Sequence, residues 1–258
     1  MALPIRSRVV ALACLLGPIA AGLSAARADD AAFPGRIDGD IGVGVYSSAI
    51  DIKGKSEHAA VLPFAYFDYG RLFARVDTLG VKTVRLGNGY LEIAGRISRD
   101  GYTADTPALK GLRGRSDSIP LGLGSLQETS VGDFFINLFH DAGKSGGEIF
   151  EVTYAARIEL PPLTLYPEVG VEHLSRDYVR YYYGISPQEA ASGTQPAYRP
   201  AGSLNKTLGL MAELKLPEHW RLNLFVSRKW LGNAVGDSPL AAGRSQDSSF
   251  LALSYSFE

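Results

Sequence analysis

Leu204-Asn205-Lys206-Thr207-Leu208-Gly209-Leu210-Met211-Ala212-Glu213-Leu214-Lys215-Leu216 alternates along its length. Leu208, Leu210, Ala212, Leu214 and Leu216 share one parity; Asn205, Thr207, Gly209, Glu213 and Lys215 share the other. Successive side chains of a strand point to opposite faces, so this stretch is a strand with one apolar and one polar face. Phe150 to Leu160 repeats the pattern, as do Leu163 to Val171 and the closing run that carries Leu251, Leu253, Tyr255 and Phe257 on one side. Weaker copies span Asp40–Ser47, Val61–Asp68, Leu72–Leu86, Tyr90–Ile97, Ile119–Gln127 and Asp133–Asp141. No window of similar length carries a helical period. The chain reads as all-β.

Turns and loops alternate as well. Gly87-Asn88-Gly89, Pro161-Pro162 and Pro217-Glu218-His219 are short and built from turn-forming residues. Residues 101–117, 176–202 and 232–247 are long and rich in Gly, Ser, Pro and Asp. Short turns at one end and long loops at the other are the habit of an outer-membrane barrel with its short end in the periplasm. A soluble barrel would hide the apolar face inside, and a membrane barrel turns it to lipid. Three features favour lipid. The polar faces hold Glu151, Arg157, Glu159, Glu168, Glu172, Glu213, Lys215, Arg221 and Lys229, which can pair across a wet lumen. Trp220 and Trp230 share one parity ten residues apart, a rise of roughly 25 Å after tilt, the height of the band between aromatic girdles. The last strand ends on Phe257, one residue before the terminus. Arg228 lies on the apolar parity and is expected to snorkel or to sit near an interface.

With the segment Trp220–Trp230 the runs number eleven, but both ends of a bacterial barrel should face the periplasm, which requires an even count. Dividing Leu72–Leu86 near Thr78-Leu79-Gly80 gives twelve, the favoured number; dropping the first strand gives ten. Pro63, Pro120 and Pro167 cannot donate to a ladder, so bulges or strand ends are expected there.

The N-terminus reads as an address. Arg6 and Arg8 precede the apolar run Val9 to Ala21, and Ala26-Arg27-Ala28 suits cleavage of a secretory signal peptide. Residues 1–28 are therefore expected to leave, and 29–258 to form the barrel with a net charge of -4. A lipoprotein reading of Ala11-Leu12-Ala13-Cys14 has only five apolar residues before its Cys. The 258 residues carry 26 basic and 27 acidic side chains, which argues against a nucleic-acid partner. Cys14 is the sole cysteine, so disulfide frameworks and cysteine zinc sites are excluded.

Chemistry is sparse. His58, His140, His173 and His219 are not spaced as metal ligands, and Gly42-x-Gly44 and Gly122-x-Gly124 lack the third glycine of a dinucleotide loop. No catalytic, cofactor or metal residue is assigned. His173-Leu174-Ser175 at the outer end of a strand resembles the catalytic strand of outer-membrane lipid A deacylases, where His activates Ser. Those enzymes follow the Ser with Asn, whereas Arg176 stands here, and Glu189 is the nearest downstream acid. Glu168 and Glu172 on one face suit a solvated lumen better than a hydrolytic pair. The run Tyr178-Val179-Arg180-Tyr181-Tyr182-Tyr183 beside a Gly/Ser/Pro segment suits an ordered extracellular loop or rim, with or without a ligand on Tyr181-Tyr182-Tyr183.

Several motifs recur together in the second half: Tyr182-Tyr183-Gly184-Ile185-Ser186-Pro187 with Glu189-Ala190 and Ser192-Gly193, then Tyr198 and Pro200. Trp220 with Leu222 and Leu224, Leu231-Gly232 with Ala234, Asp237-Ser238-Pro239-Leu240 and the closing Tyr255-Ser256-Phe257 follow in order. This set resembles the MipA/OmpV family of outer-membrane proteins, most densely from 178 to 257; Glu258 after the terminal aromatic is a departure. The resemblance implies an outer-membrane barrel without catalytic residues to carry over. It also implies an envelope scaffold joining a lytic transglycosylase to a murein synthase, with a porin-like channel or a surface adhesin as the alternative. Outer-membrane lipid is the expected environment, no cofactor is implied, and the oligomeric state stays open.

Overall fold

The computed structural model describes residues 33–48, 52–54 and 59–257. The expected signal peptide and its cleavage site lie outside them, as does His58. The strands are β1 (Asp38–Ser48), β2 (Ala60–Tyr69), β3 (Leu72–Arg75), β4 (Thr78–Leu86), β5 (Gly89–Arg96), β6 (Leu121–Thr129) and β7 (Gly132–His140). They continue with β8 (Glu148–Ala155), β9 (Ile158–Leu160), β10 (Leu163–Leu174), β11 (Ser203–Lys215), β12 (Trp220–Trp230) and β13 (Ser245–Ser256). All neighbours are antiparallel, and β1 pairs with β13 from Asp40↔Ser256 to Ser48↔Ser248, which closes the ring. Strands β8 and β9 both flank β10, with Ala155 opposite Glu168 and Ile158 opposite Leu165, so they occupy one wall position. The result is a twelve-stranded barrel.

Pro120 stands immediately before β6, a strand end as expected, whereas Pro63 lies inside β2 opposite Val43 with no break in the β1–β2 register. Pro167 lies opposite the gap between β8 and β9; it offers no N–H, and the ladder lapses there while its carbonyl still accepts the Ala156 N–H at 3.0 Å. The division of Leu72–Leu86 falls earlier than expected, at Val76-Asp77. Gly80 remains inside β4, opposite Phe73 and Ala94, where a Cβ would meet the Phe73 ring at 2.6 Å. Strand β3 is thus four residues long, shorter than the nine or more expected of a spanning strand.

The alternation decides which face is which. In β13, Leu251 and Leu253 are exposed outward while Ala252, Ser254 and Ser256 are buried toward the lumen. In β11, Leu204, Leu208 and Leu210 face out, and Ser203, Asn205 and Glu213 face in. Val43, Val45, Ile93, Leu121, Leu123, Val169, Val171, Leu224 and Val226 extend the exposed apolar belt around the wall. Burying such a belt in lipid recovers the hydrophobic free energy that an aqueous setting would forfeit, at about 25 cal/mol per Å². Trp220 and Trp230 are half-exposed at opposite ends of β12, as a pair of girdles requires. Arg228, also outward, is neutralised in place by a two-pronged pair with Asp247 of β13, both bonds at 2.6 Å.

Candidate functional site: a barred lumen beneath an ordered cap

Inside the wall, charged side chains meet across the lumen. Arg96 at the end of β5 pairs with Glu151 of β8 and stands 3.9 Å from Glu172 of β10. Lys229 of β12 lies 3.3 Å from both oxygens of Glu172. Asn137 donates to Glu151 at 2.9 Å, and Asn205 to Glu172 at 2.8 Å. Strands β5 and β12 are six positions apart in a ring of twelve, so this bar spans a diameter. Two smaller groups sit closer to the turn end. Arg221 lies 3.4 Å from Asp40 and from Glu213, while Asp68 takes Arg75 at 2.9 Å and Lys82 at 2.7 Å. Glu168 faces the same lumen beside Gly209, with no cation within 4.0 Å among the described residues.

Above the bar the long loops fold into a cap. Ile52, Tyr102, Leu109, Leu112, Val179, Ile185, Leu231, Val235 and Leu240 come from four loops, and they pack with Phe139, Ile149 and Leu174 at the strand tops. Three helices order the connections: α1 (Arg176–Tyr183), α2 (Pro187–Ser192) and α3 (Asn233–Gly236). In α1, Tyr178 and Tyr182, then Val179 and Tyr183, are spaced four apart and make one buried face. Tyr178 donates to Asp100 Oδ2 at 2.5 Å and lies 2.9 Å from the Ser98 hydroxyl; Tyr182 reaches the Ser118 hydroxyl at 3.2 Å. Burial, with the nearby Asp100 charge, pushes both phenols well above the ordinary tyrosine range, so both remain donors. Loops also bond to one another directly. Ile52 bridges Ala241, the Lys53 N–H donates to the Leu240 carbonyl, and the Ser238 hydroxyl donates to the Tyr183 carbonyl at 2.7 Å.

One ion pair fastens the cap at the start of α2. Ser186 and Glu189 form a reciprocal capping box, with Pro187 at the first helical position. Glu189 Oε1 also accepts the Arg113 N–H at 3.2 Å and the Arg115 guanidinium at 2.9 Å. Arg115 is buried, and its other donors reach the carbonyls of Tyr181 at 2.5 Å and Arg113 at 2.6 Å. Burial alone would raise the Glu189 carboxyl. The Ser186 N–H, the Arg115 guanidinium and the Arg113 N–H outweigh it and bring the group down to about 2.

The residues singled out in the sequence are dispersed. His173 points outward from β10, away from Glu172, and Ser175 Oγ accepts the Glu148 N–H at 2.8 Å. No His173–Ser175 hydrogen bond exists among the described residues, and Glu189 belongs to the Arg115 pair. His140 is exposed at the end of β7, and His219 packs on Tyr255 in a turn with a centroid separation of 5.9 Å. The tyrosine run is indeed an ordered loop element. The helices within the loops are too short to carry a helical period, although two signals mark them: the Tyr178/Tyr182 spacing and Ser186-Pro187-Gln188-Glu189. Arg113 and Arg115, read only as loop residues, carried no sequence signal; their role appears once 101–117 is laid against 184–199.

A family profile described as "MltA-interacting protein MipA" matches residues 41–257. The chain is similar to the outer membrane protein Omp26La of Vibrio anguillarum, 26% identical over 213 residues that cover 79% of this chain and 80% of that one. Outer membrane protein OmpV of Vibrio cholerae is 25% identical over the same shares of the two chains. The MltA-interacting protein of Escherichia coli is 29% identical over 117 residues, 45% of this chain and 44% of its own. With an apolar belt for lipid, girdles at both rims and a family match over nearly the whole barrel, the chain belongs to the MltA-interacting protein MipA family of outer-membrane β-barrels.

Proposed function

We infer that this barrel serves as an envelope scaffold, an interaction surface for peptidoglycan-remodelling enzymes rather than an open conduit. The observation that carries the reading is the filled interior: the Arg96–Glu151–Glu172–Lys229 bar under a packed cap leaves the ends of the barrel, not its bore, as the working surfaces. The relatives include one named for interaction with MltA, which supports a lytic transglycosylase as partner; the murein synthase that the family resemblance implies would be the second client. The partner would meet the turn end, on the periplasmic side of the girdle that Trp220, Tyr255 and Phe257 form there. The reading assigns no catalysis to the chain, so Ser175→Ala should leave lipid acylation of the host membrane unchanged.

Affinity capture of the tagged barrel from gently solubilised envelopes, with partners identified by mass, tests the scaffold. Recovery of a lytic transglycosylase is expected. Steady conductance of the purified barrel in a planar bilayer would sink the premise and favour the channel alternative. The ordered cap favours a second role for the outer end as a binding surface, since binding residues fall disproportionately on loops positioned by a rigid scaffold.

A further inference from the structure

The outer face of the cap holds a cleft of ≈590 Å³ between the 113–115 segment, the end of α1 and residues 184–199. Four arginines line it: Arg113, Arg115, Arg180 and Arg199. Against them stands one lining carboxylate, Glu189, whose charge is taken up by Arg115 at 2.9 Å. Arg113 is 81% exposed and only 3.6 Å from the same oxygen, so its fork remains open to solvent. Arg180 is half-buried and makes a long contact of 3.8 Å with Asp177 on the lip. Arg199 has no carboxylate within 4.0 Å among the described residues. The lining therefore carries an excess of positive charge on exposed guanidiniums, set around a buried one that is locked in place by two carbonyls and Glu189.

Aromatic surface accompanies the charge. Tyr181 stands edge-on against Tyr182 with centroids 4.8 Å apart, and the Arg115 guanidinium lies 5.6 Å from its ring. Tyr198 is fixed by its hydroxyl, which donates to the Ala234 carbonyl at 3.2 Å, and by the bridge between Ile185 and Tyr198. Fixed tyrosines present an apolar ring face beside forks that hold planar anions bidentately, and the combination suits a ring-shaped ligand that carries acid groups. The volume lies in the ordinary range for a small-molecule site, roughly 300–1,000 Å³.

We propose that this cleft binds an acidic saccharide, a short run of sugar rings bearing carboxylate or sulfate groups, with Arg113 and Arg199 gripping the anions and Tyr181 and Tyr198 flanking the rings. The site lies on the outer end of the barrel and is separate from the turn end invoked for the scaffold, so either role can fail alone.

The test uses the full mature chain refolded in a polyoxyethylene detergent and titrated calorimetrically with a heparin-derived tetrasaccharide, with maltotetraose as the uncharged control. The acidic tetrasaccharide should bind and maltotetraose should not. R113A and R199A should each weaken binding at least tenfold, while K144A, which removes a cation from the 141–147 loop outside the cleft, should leave it within twofold. Both arginines are exposed at the rim, so folding is checked by heat-modifiable gel mobility and should match the parent; R199K should restore part of the affinity. No binding of the acidic tetrasaccharide overturns the proposal. Binding that K144A weakens as much as R199A does overturns it too, because that is attraction to net charge alone.

Discussion

Replacing Glu189 with Gln should loosen the cap and spare the barrel. The carboxylate accepts hydrogen bonds from the Ser186 N–H at 3.0 Å, the Ser186 hydroxyl at 2.9 Å, the Arg113 N–H at 3.2 Å and Arg115 at 2.9 Å. Gln keeps the shape but turns an amide toward donors and leaves the buried Arg115 without a counter-charge. The carboxyl falls from its ordinary 4.5 to about 2 in the folded chain. That depression corresponds to about 3 kcal/mol, in line with the cost of breaking one side of a buried pair. Because the folded value is the lower one, this stability is present in full above the unfolded value and fades as pH falls from there toward 2. Hydrogen exchange with mass readout, on the barrel in micelles, should show faster exchange by about 100-fold in peptides from 107–116 and 184–193 at neutral pH. Peptides from β10, β11 and β13 should not change. Acidified wild type, after correction for intrinsic rates, should approach the variant. A change under about threefold in the cap peptides, or an equal rise in the barrel strands, would refute the reasoning.

Arg96→Met should destabilise the barrel itself, by about 3 kcal/mol, because Glu151 and Glu172 lose a shared cation inside the wall; urea unfolding in detergent would measure it. Val76 occupies the left-handed region at φ 58, a poor site for a β-branched residue, and Val76→Gly should raise stability by about 1 kcal/mol in the same assay. The β11–β12 turn holds Glu218 at φ 60 and His219 at φ 66, so Glu218→Asn with His219→Gly should stabilise by a similar about 1 kcal/mol; a loss would show that the His219–Tyr255 contact matters more than backbone strain. Tyr178→Phe should weaken the cap by about 2 kcal/mol, since Asp100 Oδ2 loses its phenol donor, and limited proteolysis of the 97–120 loop should report it.

Period-two alternation made the wall legible because one face meets lipid and the other a charged lumen, so each strand states its orientation residue by residue. Trp220 and Trp230 added the rims. The partner of each lumenal charge was not legible, since Arg96 finds Glu172 only after the ring closes and brings together strands distant in sequence. Even the neighbour pair Arg228 and Asp247 needed a register to be seen. The cap was hidden for a different reason. Its core takes one to several residues from each of four loops, so no single loop carries a recognisable apolar period. Only α1 and the capping box announced themselves locally. Arg113, Arg115, Arg180 and Arg199 fall into one cleft through contacts that a linear reading does not rank.

The bridge from Ile52 to Ala241, with Lys53 donating to Leu240, bears on the order of assembly. It joins the loop after the first strand to the loop before the last, directly above the seam where β1 meets β13. Contacts between chain ends carry the largest loop-closure entropy and form late. Once the seam has zipped, this clasp adds contacts that an opening event must break before the first and last strands can part. A barrel so fastened unfolds from elsewhere or slowly, and its persistence in the membrane then rests on kinetics at one seam as well as on equilibrium burial of its belt.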